Sequence, residues 1–317
     1  MDRDQLTGII LTVLSTVCAG TAPIFGKLAF RADVTPYTVV ALRTSLAALT
    51  LWGFYLLFWR SCIRVRWPTL VGCIAMGIAN GLGSLMYYPG LARIDASLAQ
   101  LLYALYPVWV FIFLSAAGHP VSRLALMRLG VALVGVYLLT FTPGARFDFL
   151  GAMLLLAAGA AYGWHLVLGQ WTLADVDSRT VTLYVITTMA VVVDIARLSM
   201  RTPLEFVPAA GWLAIAGLGL VSMALARLLV FAGLSRLGGI QTSILSVGEL
   251  VVALLLAYLL LGERMTPVQW IGALLIGLSM MMISRESNLE LESWERWLAA
   301  EMRNSPNQPR SSPKERN

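Results

Sequence analysis

The sequence GLARI at residues 90–94 ends the third long apolar run of the chain, and GLSRL at residues 233–237 ends the eighth, 143 positions later. Each is followed by a further apolar run, a glycine turn and a glycine-bearing run, which reads RLGVALVG at residues 128–135 and WIGALLIG at residues 270–277. One pattern of five apolar runs therefore occurs twice. A repeated unit with an odd number of spans inserts in two opposite orientations, a construction common among secondary transporters. We expect an all-α membrane protein with ten transmembrane helices, arranged as a 5+5 inverted-topology repeat around a central cavity.

The composition also indicates a membrane protein. Hydrophobic residues make up 58% of the 317 positions, charged residues make up 13%, and the mean hydropathy is +0.77. A soluble domain of this composition has too little polar surface, whereas a bilayer accommodates it. The three cysteines lack paired spacing and the two histidines are too few for a histidine metal centre, so we expect no disulfide, metal or cofactor. No basic patch interleaved with aromatic residues suggests nucleic acid as a partner.

Apolar runs of about 20 residues, long enough to cross the hydrocarbon core, divide the chain, and prolines and glycines mark the short turns between them. The first run lies where a signal peptide would, yet it supplies the first helix of a repeat, so we expect it to be retained. The first repeat is placed at residues 1–142, the second at 143–284 and a tail at 285–317, with an amphipathic helix at 289–303 and disorder beyond it. The predicted helices are residues 6–27, 36–59, 68–91, 96–116, 122–141, 149–170, 179–201, 209–232, 239–261 and 267–284.

Basic residues set the expected orientation. With the N-terminus inside, two thirds of the Lys and Arg residues outside the spans lie on the inner side, chiefly in the tail and in the cluster of Arg60, Arg64 and Arg66. We therefore expect an integral, multi-pass protein of a bacterial cytoplasmic (inner) membrane, with both termini in the cytoplasm. The expected partners are the lipid bilayer and a small-molecule substrate, and the expected assembly is a monomer or a homodimer.

Four short motifs accompany the repeat. They are ALRT at residues 41–44, LYPV at 105–108, GELV at 248–251 and LGER at 261–264. Together with the repeat, they make residues 6–284 resemble the EamA-type domains of the drug/metabolite transporter superfamily. Leu250 stands where the family usually has proline, and Tyr106 and His119 stand where it often has glutamate. The resemblance implies ten helices around a central cavity, alternating access, and export or exchange of amino acids or other small metabolites.

Glu249 stands eleven residues into the ninth predicted helix, close to the centre of the membrane. Ionisable groups at that depth are costly and usually face an interior or a water-filled path. The carboxylate is therefore a candidate for proton coupling or cation binding, and the alternative is a structural carboxylate neutralised by an arginine. Arg43 and Arg227 are the two basic residues within spans, and either one could neutralise Glu249 or bind a substrate carboxylate. For Arg43, a structural role is favoured.

A second set of candidates is aromatic and polar. Tyr106 and Glu249 are 143 positions apart, so both are expected to face the pseudo-twofold axis at similar depth. Tyrosine and tryptophan combine an apolar face with one hydrogen-bonding group, which suits a pocket for a partly apolar or cationic molecule. The alternatives are anchoring at the membrane interface and, for His165, packing. Beside Glu249, Arg43 and Arg227, the predicted cavity residues are Asn80, Tyr87, Tyr88, Gln100, Tyr103, Tyr106, Trp164 and His165.

Missing motifs weigh against other classes of protein. An intramembrane enzyme needs a nucleophile with a base, or metal ligands, and the chain has no HExxH motif, no paired intramembrane aspartates and no cysteine cluster. A channel would need a filter motif, and ATP-driven transport a nucleotide-binding loop. A nucleotide-sugar exchanger usually binds phosphate with lysines in its late helices, whereas the lysines here are Lys27 and Lys314. We expect a secondary transporter of amino acids or similar small metabolites, and not an enzyme. The first alternative is an exporter of drug-like molecules or lipophilic cations, and the second is a nucleotide-sugar-type exchanger.

Overall fold

The computed structural model describes residues 3–117, 123–140, 148–172, 176–200, 206–237, 242, 245–246 and 248–279. These residues form ten apolar helices and no strand, which confirms the predicted all-α architecture. Seven helices are individually long and apolar enough to cross a bilayer. The helices are α1 (Arg3–Arg31), α2 (Pro36–Phe58), α3 (Trp67–Arg93), α4 (Ala96–Ala116), α5 (Arg123–Thr140), α6 (Phe149–Thr172), α7 (Ser178–Ser199), α8 (residues 209–237), α9 (Gly248–Leu261) and α10 (Pro267–Ser279).

The first eight helices follow the predicted spans with shifts of at most five residues at their ends, whereas the start of the ninth predicted span and the end of the tenth lie largely outside the described residues. The tail at 285–317, with its expected amphipathic helix, lies outside the described residues, as do the junction at residues 142–144 and the turn at His119. The domain boundaries therefore stay a prediction.

Three helices depart from regular α geometry near the centre of the membrane. α1 is interrupted at Thr21, between Arg3–Gly20 and Ala22–Arg31, and Pro23 lies in the first turn of the second piece. α4 is interrupted between Ala96–Tyr103 and Tyr106–Ala116, again with a proline, Pro107, directly after the break. Proline has no N–H to donate and suits a first turn, so each helix restarts there. In α8, Gly217–Leu225 is π-helical, a geometry that often marks functional sites.

Helices pack into two groups that mirror the sequence repeat. In the first helix group, α6 packs on α3 and on α4; in the second helix group, α1 packs on α8 and on α9. A shift of 143 positions turns α3 into α8 and α4 into α9, and it relates α1 to α6 in the same way. α2 and α7 pack against each other at the side of both groups. This is the arrangement that an inverted 5+5 repeat predicts.

The two helix groups meet chiefly at one end of the bundle. We call it the capped end, and it carries the connection after Arg93 and the turn at Gly262. Here Ala22–Arg31 and Ala257–Leu261 of the second group contact Ala96–Tyr103 of the first, within the largest buried core. Toward the opposite end, Arg3–Gly20 packs within the second group. Two other segments at that end also make few contacts with the opposite group. Tyr106–Ala116 packs on α6 and α5, and Ala226–Leu237 packs on the second group and α7. In the described part of the chain, the groups thus separate away from the capped end.

Glycines allow close helix packing, which in a bilayer depends on van der Waals contact rather than on a hydrophobic driving force. The spacing of Gly77 and Gly81 predicts a close neighbour, and the structure confirms it: α7 lies directly against both residues. A Cβ added at Gly77 would lie 2.5 Å from the Cβ of Thr188 and 2.9 Å from the backbone oxygen of Val185. The contact includes main chain, so a side chain cannot simply turn away.

We expect Gly77→Ala to lower the free energy of unfolding by about 1–3 kcal/mol, the usual cost of overpacking. The matched control is Gly53→Ala, because nothing lies within 4 Å of a Cβ at Gly53. Thermal unfolding of both variants in detergent micelles measures the difference. Equal melting temperatures for the two variants would show that α3 and α7 do not depend on this contact.

Candidate functional site

A cavity of about 350 Å³ lies between the two helix groups, near the middle of the bundle. Pockets for small molecules are typically of this size or larger. Nine of the eleven predicted cavity residues line it: Arg43, Asn80, Tyr87, Tyr88, Gln100, Tyr103, Tyr106, Arg227 and Glu249. Most of the predicted residues therefore line the cavity, while their roles stay predictions.

The lining is built from equivalent positions of the two repeats. Tyr106 and Glu249, which are 143 positions apart, both line the cavity, as the inverted repeat predicts. The same offset relates seven further pairs of lining residues: Ser15 and Ala158, Ala19 and Tyr162, Asn80 and Met223, Gly83 and Ala226, Ser84 and Arg227, Tyr87 and Val230, and Tyr103 and Ser246. Each repeat therefore presents the same face to the cavity, but the side chains on the two faces differ in kind.

The first helix group contributes an aromatic wall, which consists of Tyr87, Tyr103, Tyr106 and Tyr162. Ring centroids lie 5.0 Å apart for Tyr87 and Tyr103, 5.6 Å apart for Tyr103 and Tyr162, and 4.9 Å apart for Tyr106 and Tyr162. Such distances are typical of favourable aromatic pairs. Tyr162 is not among the predicted cavity residues, although Gly159 on the same helix predicts that this stretch of α6 faces a neighbour. The neighbour is α4, since a Cβ added at Gly159 would lie 3.3 Å from the backbone carbonyl oxygen of Tyr103.

The second helix group contributes the charged side of the cavity. Glu249 accepts a hydrogen bond from the side chain of Gln100 and interacts electrostatically with Arg227. The Tyr87 hydroxyl donates to Oε1 of Gln100 at 3.2 Å, so the Gln100 amide uses its oxygen toward Tyr87 and its NH₂ toward Glu249. Gln100 is buried. It therefore connects the aromatic wall to the carboxylate. Of the two arginines considered as partners of Glu249, Arg227 is the one that acts on it.

Arg43 enters the cavity from α2 and makes different contacts. Its Nη2 donates to the Ser84 hydroxyl at 2.9 Å, and its Cζ lies 4.4 Å from the centroid of the Tyr88 ring. The residue is 9% exposed, and its Nε has no acceptor among the described residues. A buried N–H without a partner costs about 1–3 kcal/mol. Both described partners of Arg43 are neutral, so the guanidinium keeps its full charge beside the cavity.

Two predicted residues do not line the cavity. His165 is buried behind the aromatic wall, where its ring stacks on Tyr162 and its Nδ1 lies 3.1 Å from the Met76 carbonyl oxygen. Trp164 is 39% exposed and packs edge-to-face on Phe113 with ring centroids 5.4 Å apart. Trp164 is two positions after Tyr162 on α6 and so points away from the face that Tyr162 presents, whereas His165, three positions on, shares that side of the helix and lies against the Tyr162 ring. The placement of His165 agrees with the packing alternative.

Glu263 closes the capped end. Its carboxylate accepts hydrogen bonds from the backbone N–H of Ala96 at 2.7 Å, from the N–H of Ser97 at 2.9 Å and from the Ser97 hydroxyl at 2.6 Å. These N–H groups belong to the first turn of α4, where a carboxylate is favoured by unpaired donors and by the helix dipole. Gly262, with φ of +73°, ends α9 and turns the chain toward α4. We call this contact the Glu263 latch. In the sequence, Glu263 stands out only as part of the LGER motif.

Charged residues surround the Glu263 latch. A second cavity of about 600 Å³ at the capped end is lined by Lys27, Arg31, Asp95, Glu263 and Arg264, with Phe30, Ala92, Leu261 and Gly262. Burial raises the pKa of Asp95, the Glu263 carboxylate raises it further, and Lys27 opposes both effects. Arg31 Nη2 donates to the Leu261 carbonyl at 3.3 Å. Mixed charges of this kind hold the ends of α1, α4 and α9 together.

Comparisons with known proteins agree with this architecture. The model of the EamA-like transporter family matches residues 6–141 and 149–285, one match for each repeat. YcbK of Bacillus subtilis (strain 168), an uncharacterized transporter, is 22% identical over 281 residues, which cover 85% of this chain and 90% of that protein. An uncharacterized transporter of Archaeoglobus fulgidus is 26% identical over 277 residues, with 86% and 95% covered.

A solved structure supports the fold alone. A crystal structure of a protein that is 18% identical matches with a TM-score of 0.61 and covers 89% of this chain and 98% of its own. The two family matches, the apolar helices and the paired lining of the cavity agree with one another. The chain is a multi-pass integral membrane protein that belongs to the EamA-like transporter family.

Proposed function

We propose that the protein is a secondary transporter that exports or exchanges amino acids or similar small metabolites by alternating access. The observation that carries this proposal is the central cavity, which is lined from both sides by equivalent positions of the two repeats. An inverted repeat has two related arrangements, in which contacts made by one repeat at one end are replaced by contacts of the other repeat at the other end. A site on the pseudo-twofold axis is then accessible from each side in turn.

The geometry supports a specific sequence of steps. Cargo enters from the end opposite the Glu263 latch, where the helix groups separate, and reaches the aromatic wall, Glu249 and Arg43. The groups then rock, the latch opens and the cargo leaves at the capped end. With both termini in the cytoplasm, as the basic residues predict, this direction is export from the cell. Glu249 is the proposed coupling group, because it is the carboxylate of the cavity lining and is linked by Gln100 to the wall that contacts cargo.

One observation favours the second candidate, an exporter of lipophilic cations. Four tyrosine rings lie beside one carboxylate, and aromatic faces attract cations, most strongly where water is excluded. Cation–π contacts with tyrosine contribute about 0.5–2 kcal/mol, which favours binding of a lipophilic cation by a modest factor.

Transport by the purified protein in liposomes separates the two candidates. Liposomes preloaded with an unlabelled amino acid should take up the labelled form faster than liposomes without protein, in a saturable manner, across a panel of small apolar and polar amino acids. The same liposomes are tested with a labelled lipophilic cation. Amino-acid uptake equal to that of empty liposomes throughout the panel, with saturable uptake of the cation, would reject the first candidate in favour of the second.

A further inference from the structure

We propose that cargo is recognised through a carboxylate, which Arg43 binds, and that an amino group on the cargo is not required. The inference rests on the proposed function, because it names the chemical class of cargo for the same cavity. It follows from three features of the lining: its balance of charge, the partners of Arg43 and the position of Arg43 relative to the aromatic wall.

The balance of charge is positive. Three charged residues line the cavity among the described residues: Arg43, Arg227 and Glu249. Arg227 and Glu249 carry opposite charges and attract each other, so together they add no net charge to the lining when Glu249 is ionised. Arg43 has two described partners, the Ser84 hydroxyl and the Tyr88 ring, and both are neutral. With Glu249 ionised, the empty cavity carries one uncompensated positive charge, and protonation of Glu249 only increases it.

An arginine cannot relieve this charge by losing its proton, because guanidinium stays protonated in proteins. A charge within a membrane protein is costly unless it is paired. The ligand that supplies both a negative charge and acceptors for the planar N–H groups of guanidinium is a carboxylate, and such pairs are often bidentate. The Nε of Arg43, which has no acceptor in the described part of the chain, leaves part of this capacity unused.

Arg43 is also well placed to orient an amphipathic acid. Its guanidinium lies over Tyr88, and the centroid of the Tyr88 ring is 5.1 Å from that of Tyr87. From Tyr87 the aromatic wall continues to Tyr103. A cargo whose carboxylate contacts Arg43 therefore has its apolar body along the tyrosine rings, in a cavity whose volume suits a small molecule. An acid brings the net charge of the lining to zero. A cation raises it to two, which disfavours the lipophilic-cation alternative.

The test compares four probes that share one phenyl group: L-phenylalanine, 3-phenylpropanoate, L-phenylalaninamide and 2-phenylethylamine. A second series with a smaller body consists of L-leucine, 4-methylpentanoate, L-leucinamide and 3-methylbutylamine. Binding of each probe to the purified full-length protein is measured by calorimetry at pH 7. In at least one series, the amino acid and the deaminated acid should bind at least 10-fold more tightly than the amide and the amine.

Variants assign the preference to Arg43. Arg43→Gln should weaken the acids at least 10-fold and leave the amide and the amine unchanged. The matched control is Arg179→Gln, because Arg179 also lies over an aromatic ring, Trp59 at 4.9 Å, but outside the cavity. Ser84→Ala keeps the charge of Arg43 while removing a neutral partner, so it should preserve the ranking of the probes. The wild-type ranking is informative even if Arg43→Gln fails to fold.

Several outcomes contradict the inference. Amides or amines that bind the wild type as tightly as the acids would overturn it and leave the transporter proposal standing. An undiminished acid preference in folded Arg43→Gln would overturn it in the same way. If no probe of either series binds, and labelled amino acids do not cross the liposome membrane, both this inference and the proposed amino-acid cargo fail together.

Discussion

Glu249→Gln is expected to abolish the response of flux to a pH gradient while cargo binding persists. Glutamine is nearly isosteric with glutamate and keeps an acceptor for Gln100, but it cannot bind or release a proton at any accessible pH. If proton exchange at Glu249 drives transport, pH-driven flux in liposomes should fall to the level of liposomes without protein. Counterflow at equal pH on both sides should continue, since that reaction does not consume the gradient.

The same variant tests the structural alternative, in which Glu249 serves to neutralise Arg227. Removing one partner of a buried charge pair costs about 3–5 kcal/mol, because it leaves the other charge unpaired. In that case Glu249→Gln unfolds at a lower temperature, and the double variant Glu249→Gln/Arg227→Gln recovers stability.

A matched control is Asp148→Asn, a carboxylate-to-amide change in an exposed pair with Arg93 whose Nε–Oδ2 distance is 2.9 Å. It should leave the pH response intact. Undiminished pH-driven flux in Glu249→Gln, together with normal stability, would show that Glu249 is neither a coupling group nor a structural partner.

Glu263→Ala is expected to open the capped end. The variant removes three hydrogen bonds to a charged acceptor, and such bonds contribute about 1–3 kcal/mol each when they are well shielded from water. A loss of even 1.4 kcal/mol changes the ratio of open to closed molecules tenfold. Hydrogen exchange measured by mass spectrometry should accelerate at Ala96 and Ser97, whose N–H groups lose their acceptor. Hydrogen exchange should also accelerate in the cavity-facing peptide that contains Tyr103 and Tyr106.

The second peptide is the decisive one. Faster exchange confined to Ala96 and Ser97 would mean that Glu263 is merely a local cap on α4 and does not hold the two helix groups together. The control is Asp177→Asn: Asp177 accepts from the N–H of Arg179 at 2.9 Å and caps α7 away from the cavity. This change should affect α7 alone. Glu263→Gln keeps an acceptor without the charge, so its effect should fall between those of the wild type and Glu263→Ala.

Much of the fold could be predicted because it depends on one repeated pattern. Length and hydropathy determine the spans, and the offset of 143 positions determines which positions face each other across the axis. This offset pairs Tyr106 with Glu249, and both line the cavity. The inverted arrangement of α1 with α8 and of α6 with α3 follows from the same offset.

The remainder depends on where side chains reach, which spacing does not specify. The position of a Cα atom along its helix says little about where a long side chain ends: Arg43 on α2 and Arg227 on α8 both line one cavity. Which arginine interacts electrostatically with Glu249 depends on side-chain rotamers on several helices at once. The Glu263 latch escaped prediction for another reason. It joins a turn in the second repeat to a helix start in the first, 166 and 167 positions away, and no periodic pattern links them.

The sequence of the first repeat has no carboxylate equivalent to Glu263, because Pro120 stands 143 positions before Glu263 and His119 precedes it. In the proposed alternating-access cycle, we therefore expect the two end states of the empty protein to differ in free energy, with the latch-closed state the more populated. Cargo at the end opposite the latch meets the more populated state, whose site is open to that end. Cargo at the capped end binds only the minor fraction of molecules in which the latch is open. Its apparent dissociation constant is raised by the inverse of that fraction. The half-saturating concentration should therefore be lower for cargo leaving through the capped end than for cargo entering by it, while the gradient alone sets the final distribution.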